Sequence, residues 1–321
     1  MIIKELKGGS FSKTLVIEND GMKIVRKFIS RHVEREYGLV RWQSQIRKLQ
    51  IMSQSIGVDY VPKVISLGYD EDSYYYDIEY FENSKTVLDF LLTPYENINI
   101  ETVFDNLIKV IDNYKIINFG PVKGAFSLYI QEEIVNILSK ILTYSNFDSL
   151  TNVELREIKD ICSNVLDLIK RKSNYLAGIK LNETLTHGNL TLENVLIDSM
   201  GNIKLIDLYA ETYCESWLGD ISQIMQSCIG DYEQINDLNE DDFNSLFTKK
   251  TVPTSKFYEE FKGHLNRFAL KLSHEDRFAL EVFYASQFIR MFPFKIEKTP
   301  RKAFYFVVQG MKTLNKVLTK C

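Results

Sequence analysis

The sequence predicts an α+β protein: a small five-stranded antiparallel sheet carrying one helix, followed by a larger, mainly helical part. Three observations predict it. Up to about residue 84, apolar residues fall in short runs rich in β-branched and aromatic side chains, bounded by turn residues, as in strands. Beyond Lys85 the apolar residues recur every three or four positions, as on the buried face of a helix. The helical pattern is broken once, over residues 184–206, by strand-like runs around a turn at Ser199-Met200-Gly201-Asn202. These shifts place a boundary between an N-terminal part, residues 1–84, and a C-terminal part, residues 85–321.

The elements follow in order. Residues 2–6 form a first strand. Residues 13–18 and 22–29 flank Asn19-Asp20-Gly21, a hairpin turn in which Gly tolerates positive φ. Trp42, Ile46 and Leu49 then recur at helical spacing, and Gly57 and Pro62 mark the end of that helix. Residues 64–69, the turn Asp70-Glu71-Asp72 and the aromatic run 74–81 complete the sheet. In the C-terminal part, three helical stripes carry Phe104, Leu107, Ile108 and Ile111; Ile130, Ile134, Ile137 and Ile141; and Leu155, Ile158, Ile161, Val165 and Leu168. Three further amphipathic helices, at about 255–271, 275–292 and 301–319, close the chain, with Pro253, Pro293 and Pro300 at their boundaries.

Composition narrows the function classes. A net charge of -4 and a pI near 5.7 argue against nucleic acid as a partner. No run approaches the roughly 18 uninterrupted apolar residues of a membrane span, and Met1-Ile2-Ile3-Lys4-Glu5 lacks a signal-peptide pattern. Cys162, Cys214, Cys228 and Cys321 are far apart, with no Cys-x-x-Cys pair, and read as reduced thiols of a cytoplasmic protein. The four histidines show no metal-ligand spacing. Oligomeric state leaves no trace in the sequence.

The chemically informative stretch is Thr186-His187-Gly188-Asn189-Leu190-Thr191-Leu192-Glu193-Asn194-Val195-Leu196-Ile197, followed by Ile203-Lys204-Leu205-Ile206-Asp207-Leu208. An apolar strand, a Gly-containing turn and a second apolar strand separate Asn194 from Asp207, so both side chains are expected on the same side of one hairpin. The segment resembles the catalytic loop of the aminoglycoside phosphotransferase and choline kinase superfamily, whose pattern is His-Gly-Asp-x-x-x-x-Asn. The match is clear over about 184–225, looser over 1–90, and only one of character elsewhere. The resemblance implies a bilobal protein-kinase-like fold that transfers the γ-phosphate of ATP or GTP to a hydroxyl of a small molecule: a sugar, amino alcohol or aminoglycoside. It makes His187 the structural histidine of the loop, Asn194 and Asp207 the Mg²⁺ ligands, and Asp220 the later aspartate that braces the loop. Gly188 stands where protein kinases carry arginine, and no Ala-Pro-Glu sequence or long activation segment follows Asp207, which argues against a protein kinase.

Asn189 departs from the pattern, because it occupies the position of the catalytic aspartate. A carboxamide does not accept a proton at neutral pH, and its NH₂ donates where a carboxylate would accept. Three readings stand side by side: an Asp→Asn replacement made to trap a substrate complex, a naturally weakened or repurposed kinase, or transfer carried by positioning and metal ions alone. A pseudokinase, binding nucleotide as a regulatory module, is the alternative function.

The nucleotide side is assigned more loosely. Lys7-Gly8-Gly9-Ser10-Phe11-Ser12 follows the first strand, and its backbone amides at Gly8, Gly9 and Ser10 are placed to cover phosphates. Ile24-Val25-Arg26-Lys27 is similar to the strand whose lysine contacts nucleotide phosphates. Alternation makes Lys27, not Arg26, the candidate. Its expected helix partner is Gln45, with Glu34 and Glu36 as acidic alternatives earlier in the helix. The run Asp77-Ile78-Glu79-Tyr80-Phe81-Glu82 takes the place of the adenine-pairing hinge, with Glu79 as its cofactor-side candidate. Residues 209–217 follow the metal aspartate and are either an acceptor-binding loop, acidic and aromatic, or an ordinary surface loop.

Overall fold

The computed structural model describes the whole chain apart from residues 7–11, 20, 33–34, 96, 145–149, 210–211, 250–253 and 321. In chain order, the N-terminal elements are β1 (Ile2–Leu6), β2 (Ser12–Asn19), β3 (Met22–Ser30), α1 (Arg35–Ile56), β4 (Val64–Tyr69), β5 (Ser73–Glu79), β6 (Lys85–Thr86), α2 (Val87–Leu92) and α3 (Ile100–Lys115). The middle contains β7 (Asn118–Pro121), α4 (Ala125–Ile130), α5 (Asn136–Thr143), α6 (Asn152–Arg171), α7 (Ser173–Gly178), β8 (Asn182–Thr184), β9 (Val195–Ile197) and β10 (Ile203–Leu205). The remainder is helical: α8 (Trp217–Cys228), α9 (Tyr232–Asp237), α10 (Glu240–Lys249), α11 (Lys256–Leu270), α12 (His274–Ile289), α13 (Phe292–Lys295) and α14 (Pro300–Thr319). The protein is α+β, with a five-stranded antiparallel sheet and a mainly helical remainder.

The chain divides into two compact units, and the division is not a single cut. One unit holds Met1–Ile116 and His187–Thr212; the other holds Ile117–Thr186 and Tyr213–Cys321. The segment that carries the His-Gly-Asn motif therefore belongs to the unit of the N-terminal sheet.

In the first unit the sheet has the order β1-β2-β3-β5-β4. Asn19 pairs with Met22, so β2 and β3 are joined by a two-residue turn ending in Gly21 at φ 77°, as short hairpins require. β3 pairs with β5 so that Lys27 lies opposite Tyr76 and Arg26 opposite Asp77. Directly opposed residues share a face, so these two pairs occupy opposite faces of the sheet. α1 buries Ile46 and Leu49, as its spacing predicts, together with Met52, while Trp42 of the same stripe is only partly buried. A second, three-stranded sheet has the order β10-β9-β6. Its apolar residues Val195, Ile197, Ile203 and Leu205 are buried.

In the second unit α8, α12 and α14 pack closely, and α6 lies against α14. Phe283, Val307 and Leu314 are buried there. A Cβ on Gly310 of α14 would come 2.6 Å from the Ala285 carbonyl of α12, so glycine is what lets these helices approach. The interruption expected over 184–206 divides in two: β8 pairs with β7, and only β9 and β10 form the hairpin. A π-helical turn at Gln131–Val135 between α4 and α5 leaves no signature in the apolar stripe that predicted a helix there. Among the described residues, no helix is long and apolar enough to cross a membrane.

Candidate functional site

The site is built on the β9–β10 hairpin and the loop that precedes it. Val195 pairs with Leu205, and just beyond them the Ile206 N–H donates to the Asn194 carbonyl at 2.9 Å. That closure brings Asn194 and Asp207 to the same end of the hairpin. Asp207 itself has φ 58°, a left-handed conformation that Asp tolerates better than most residues and that marks a constrained position.

His187 ties the loop to this end. Its Nε2 lies 2.9 Å from the Ile206 carbonyl, and its Nδ1 accepts from the Asn189 N–H at 3.2 Å. The two contacts fix one tautomer: the proton sits on Nε2 and Nδ1 is bare. The ring is fully buried, and burial, reinforced by the Lys48 ammonium, holds its pKa down to about 3. His187 is thus a neutral tether at any physiological pH.

Gly188 is dictated by space and conformation together. Its φ is 81°, and a Cβ there would lie 2.1 Å from the Tyr209 carbonyl oxygen and 3.4 Å from Lys48 Nζ. The backbone at this point passes too close to residue 209 for any side chain, including the arginine of protein kinases.

Asn189 and Asn194 are linked through the loop. Asn194 Nδ2 donates to the Asn189 carbonyl at 2.8 Å, and the Thr191 N–H donates to the same oxygen at 2.9 Å. With its NH₂ group committed, Asn194 has its Oδ1 left to serve as a ligand. Asn189 Nδ2 lies 3.5 Å from the Asp207 carbonyl, a long contact that only a donor can make.

Lys27 of β3 forms an ion pair with Asp207 Oδ1, closing a link between residues 180 positions apart. The lysine side chain is 8% exposed and the aspartate 29%. Burial opposes both charges, but each stabilises the other more. The Lys27 pKa is therefore raised and the Asp207 pKa lowered, so both remain charged. Arg26, on the other face, is consumed by a bidentate pair with Asp77, at 2.7 and 2.8 Å, and stacks on Tyr75. The two basic residues thus lie on opposite faces with different partners, as strand alternation predicts.

The expected partner of Lys27 requires correction. Gln45 lies in the cluster and is buried, but its Oε1 accepts from Tyr76 Oη at 3.3 Å and its Nε2 points to Asp207 Oδ1 at 3.5 Å. The carboxylate takes the ammonium because a charged acceptor binds it more strongly than a neutral amide. Glu34 lies outside the described residues, as does the Glu36 side chain. Gly8, Gly9 and Ser10 also lie outside them. Glu79 sits at the end of β5, its N–H donating to the Lys63 carbonyl at 3.1 Å and its carboxylate 3.7 Å from Lys204 Nζ. It does not take part in the Lys27–Asp207 pair. Asp220 is buried in the first turn of α8, in the other unit.

Two cations that the sequence reading does not single out complete the cluster. Arg41 and Lys48 stand one turn to either side of Gln45 on α1, at the i, i+4, i+7 spacing of a single helix face. Lys48 is buried near Gly188, and Arg41 is half-buried with its guanidinium 5.9 Å from the Tyr209 ring. Their signal was present in the spacing, but basic residues on a helix read equally well as a solvated face.

The donor set fits a hard divalent cation: an ionised carboxylate at Asp207 and an amide oxygen at Asn194, with the remaining positions left to phosphates and water. Among the described residues no group of three or more His, Cys, Asp or Glu side chains is gathered as an all-protein metal cage would need. No family model matches this chain, and the search of curated proteins finds no match either.

Proposed function

We propose that the protein is a small-molecule phosphotransferase of the aminoglycoside phosphotransferase and choline kinase kind, with a bilobal protein-kinase-like fold. It uses ATP or GTP with Mg²⁺ in the cytoplasm and phosphorylates a hydroxyl of a sugar, amino alcohol or aminoglycoside. One observation carries the reading: a lysine on the third strand of an antiparallel sheet meets an aspartate at the open end of a hairpin, the same end that offers Asn194. A phosphate-binding cation and a metal-binding carboxylate must lie together for phosphoryl transfer, and nothing in ordinary folding requires a buried ion pair over that separation.

In this reading each residue has a separate task. Asp207 and Asn194 supply the oxygen atoms that hold Mg²⁺, which neutralises charge on the phosphates when bound. Lys27 binds the phosphate chain. His187 keeps the loop in register, remaining neutral so that it adds no charge of its own. Gly188 lets the loop pass beneath residue 209. Asp220 braces the loop, and Tyr213, Glu215 and Trp217 belong to the acceptor side. Asn189 holds the position next to the acceptor hydroxyl. Its amide carbonyl orients that hydroxyl by accepting a hydrogen bond, but it takes no proton at neutral pH.

The second reading, a pseudokinase, rests on Asn189 itself, whose Nδ2 faces the Asp207 carbonyl at 3.5 Å where a carboxylate would be repelled. The test that separates the two is nucleotide consumption by the wild type and Asn189→Asp across sugars, amino alcohols and aminoglycosides, with Asp207→Ala as the blank. The enzyme reading predicts a gain of about 10²–10⁴-fold for one acceptor class, the usual worth of a positioned base. Nucleotide binding with no turnover in either form gives the pseudokinase instead.

A further inference from the structure

Arg41 is a charged group of the cluster that the assigned roles do not use. Its Nε is buried and has no hydrogen-bond partner, and no ion pair to its guanidinium occurs among the described residues. A buried donor left unsatisfied costs free energy, and in native proteins it commonly marks a missing acceptor. The surroundings point to what that acceptor is. Arg41 shares its helix face with Gln45, whose amide reaches Asp207, and with Lys48, which lies against the loop at Gly188. Arg41 thus adds a second cation beside the Lys27–Asp207 pair, with His187 neutral. Arg41 is close enough to oppose the positive charge of Lys27 and to favour the negative charge of Asp207. No described acidic side chain of α1 lies on this face to offset the excess.

We propose that Arg41 is a second phosphate-binding residue of this site, donating from α1 to the polyphosphate of the bound nucleotide. The inference rests on the nucleotide-binding reading above and extends it. In this chain the first helix contributes a cation directly to the ligand, where the resemblance leads one to expect an acidic residue holding the strand lysine. Lys27 accordingly pairs with Asp207 rather than with a side chain of that helix. The ligand's anionic oxygens satisfy the Arg41 guanidinium, and the planar fork suits a phosphate better than the point charge of a lysine.

The test is calorimetric binding of MgADP, Mg-tripolyphosphate and adenosine to the wild type, Arg41→Gln and Arg41→Lys, with the melting temperature of each unliganded form. A lost charge-assisted hydrogen bond corresponds to roughly 10–100-fold in affinity. Arg41→Gln should weaken both phosphate-bearing probes by that factor while adenosine is unaffected. Arg41→Lys should recover part of the loss, and the unliganded Tm of Arg41→Gln should equal or exceed that of the wild type, because a cation without a partner is gone. Unchanged affinity for MgADP and Mg-tripolyphosphate would overturn the proposal. So would an equal loss for adenosine, or a lowered unliganded Tm, either of which makes Arg41 a structural residue. A wild type that binds none of the three probes would overturn the nucleotide reading itself, and Arg41's role with it.

Discussion

Two aspartates of this protein share an unusual backbone and meet opposite electrostatic fates. Asp207 has φ 58° and Asp231 has φ 50°, and each is paired with a lysine, Lys27 and Lys262 respectively. In both, burial pushes the carboxyl pKa upward. At Asp207 the Lys27 ammonium, aided by Arg41, more than reverses that push and the pKa falls. At Asp231, Lys262 fails to reverse it and the pKa stays raised, with the Glu259 charge adding to the rise. The difference is one of supply. Lys262 divides itself between Asp231 at 3.1 Å and Glu259 at 3.2 Å, whereas Lys27 pairs with Asp207 and the nearby Arg41 charge favours the same carboxylate without pairing with it. Pairing alone therefore does not decide whether a buried aspartate is held ionised. The local ratio of cations to carboxylates does, and only the first aspartate sits where the excess is positive, as a site for phosphates and a metal ion needs.

The comparison is sharpened by the same substitution at both positions. Asp207→Asn strands the buried Lys27 ammonium beside Arg41. It should cost on the order of 2–3 kcal/mol in denaturant unfolding, somewhat below the usual penalty for breaking a buried pair because the carboxylate is partly exposed. Asp231→Asn should change stability by less than about 1 kcal/mol. Its sign follows from linkage. A carboxyl whose pKa is raised on folding holds its proton better in the folded state, so ionisation at neutral pH opposes folding, and the amide removes that opposition. The expected change is zero or slightly stabilising, and Asn tolerates the left-handed backbone as Asp does. Similar losses at both positions would break the comparison.

A smaller effect belongs to His187. Its folded pKa of about 3 lies below its ordinary value, so between roughly pH 6.5 and pH 3 the unfolded chain takes a proton that the folded chain refuses. Its contribution to stability is complete above that window and declines as the pH falls through it. The slope it adds is about 1.4 kcal/mol per pH unit, best read between pH 6 and 4.5, before Asp207 begins to be protonated. Unfolding curves for His187→Gln should be flatter over that range than those of the wild type. Equal slopes in the two forms would show that the ring is not held neutral by its burial.

What was legible in the sequence was whatever depends on near neighbours. The hairpin of β2 and β3 follows from Asn19-Asp20-Gly21, and the choice of Lys27 over Arg26 follows from strand alternation. The apolar runs flanking Asn194 and Asp207 announce the hairpin that joins them. What was hidden depends on partners distant in the chain. Lys27 meets Asp207 rather than Gln45 because of competition between acceptors, which spacing does not encode. Asp77 reads as a hinge residue until Arg26 is found to claim it from the neighbouring strand. The β7–β8 pair joins segments too far apart for either to signal the other. Arg41 and Lys48 were visible only as basic residues of a helix, and their burial against the site is a tertiary fact. Gly188 was recognised as part of a motif, but its physical reason, the Tyr209 carbonyl at 2.1 Å from any Cβ, appears only once the loop is folded.

The central claim is that the Lys27–Asp207 pair marks a nucleotide and metal site, and calorimetry of ADP binding with and without Mg²⁺ tests it most directly. The wild type should bind MgADP more tightly than ADP alone. Asp207→Ala should lose that metal-dependent gain while retaining metal-free ADP binding through Lys27, now released from its carboxylate partner. If Asp207→Ala keeps the full Mg²⁺-dependent gain, the metal is held elsewhere and the assignment of this site is wrong.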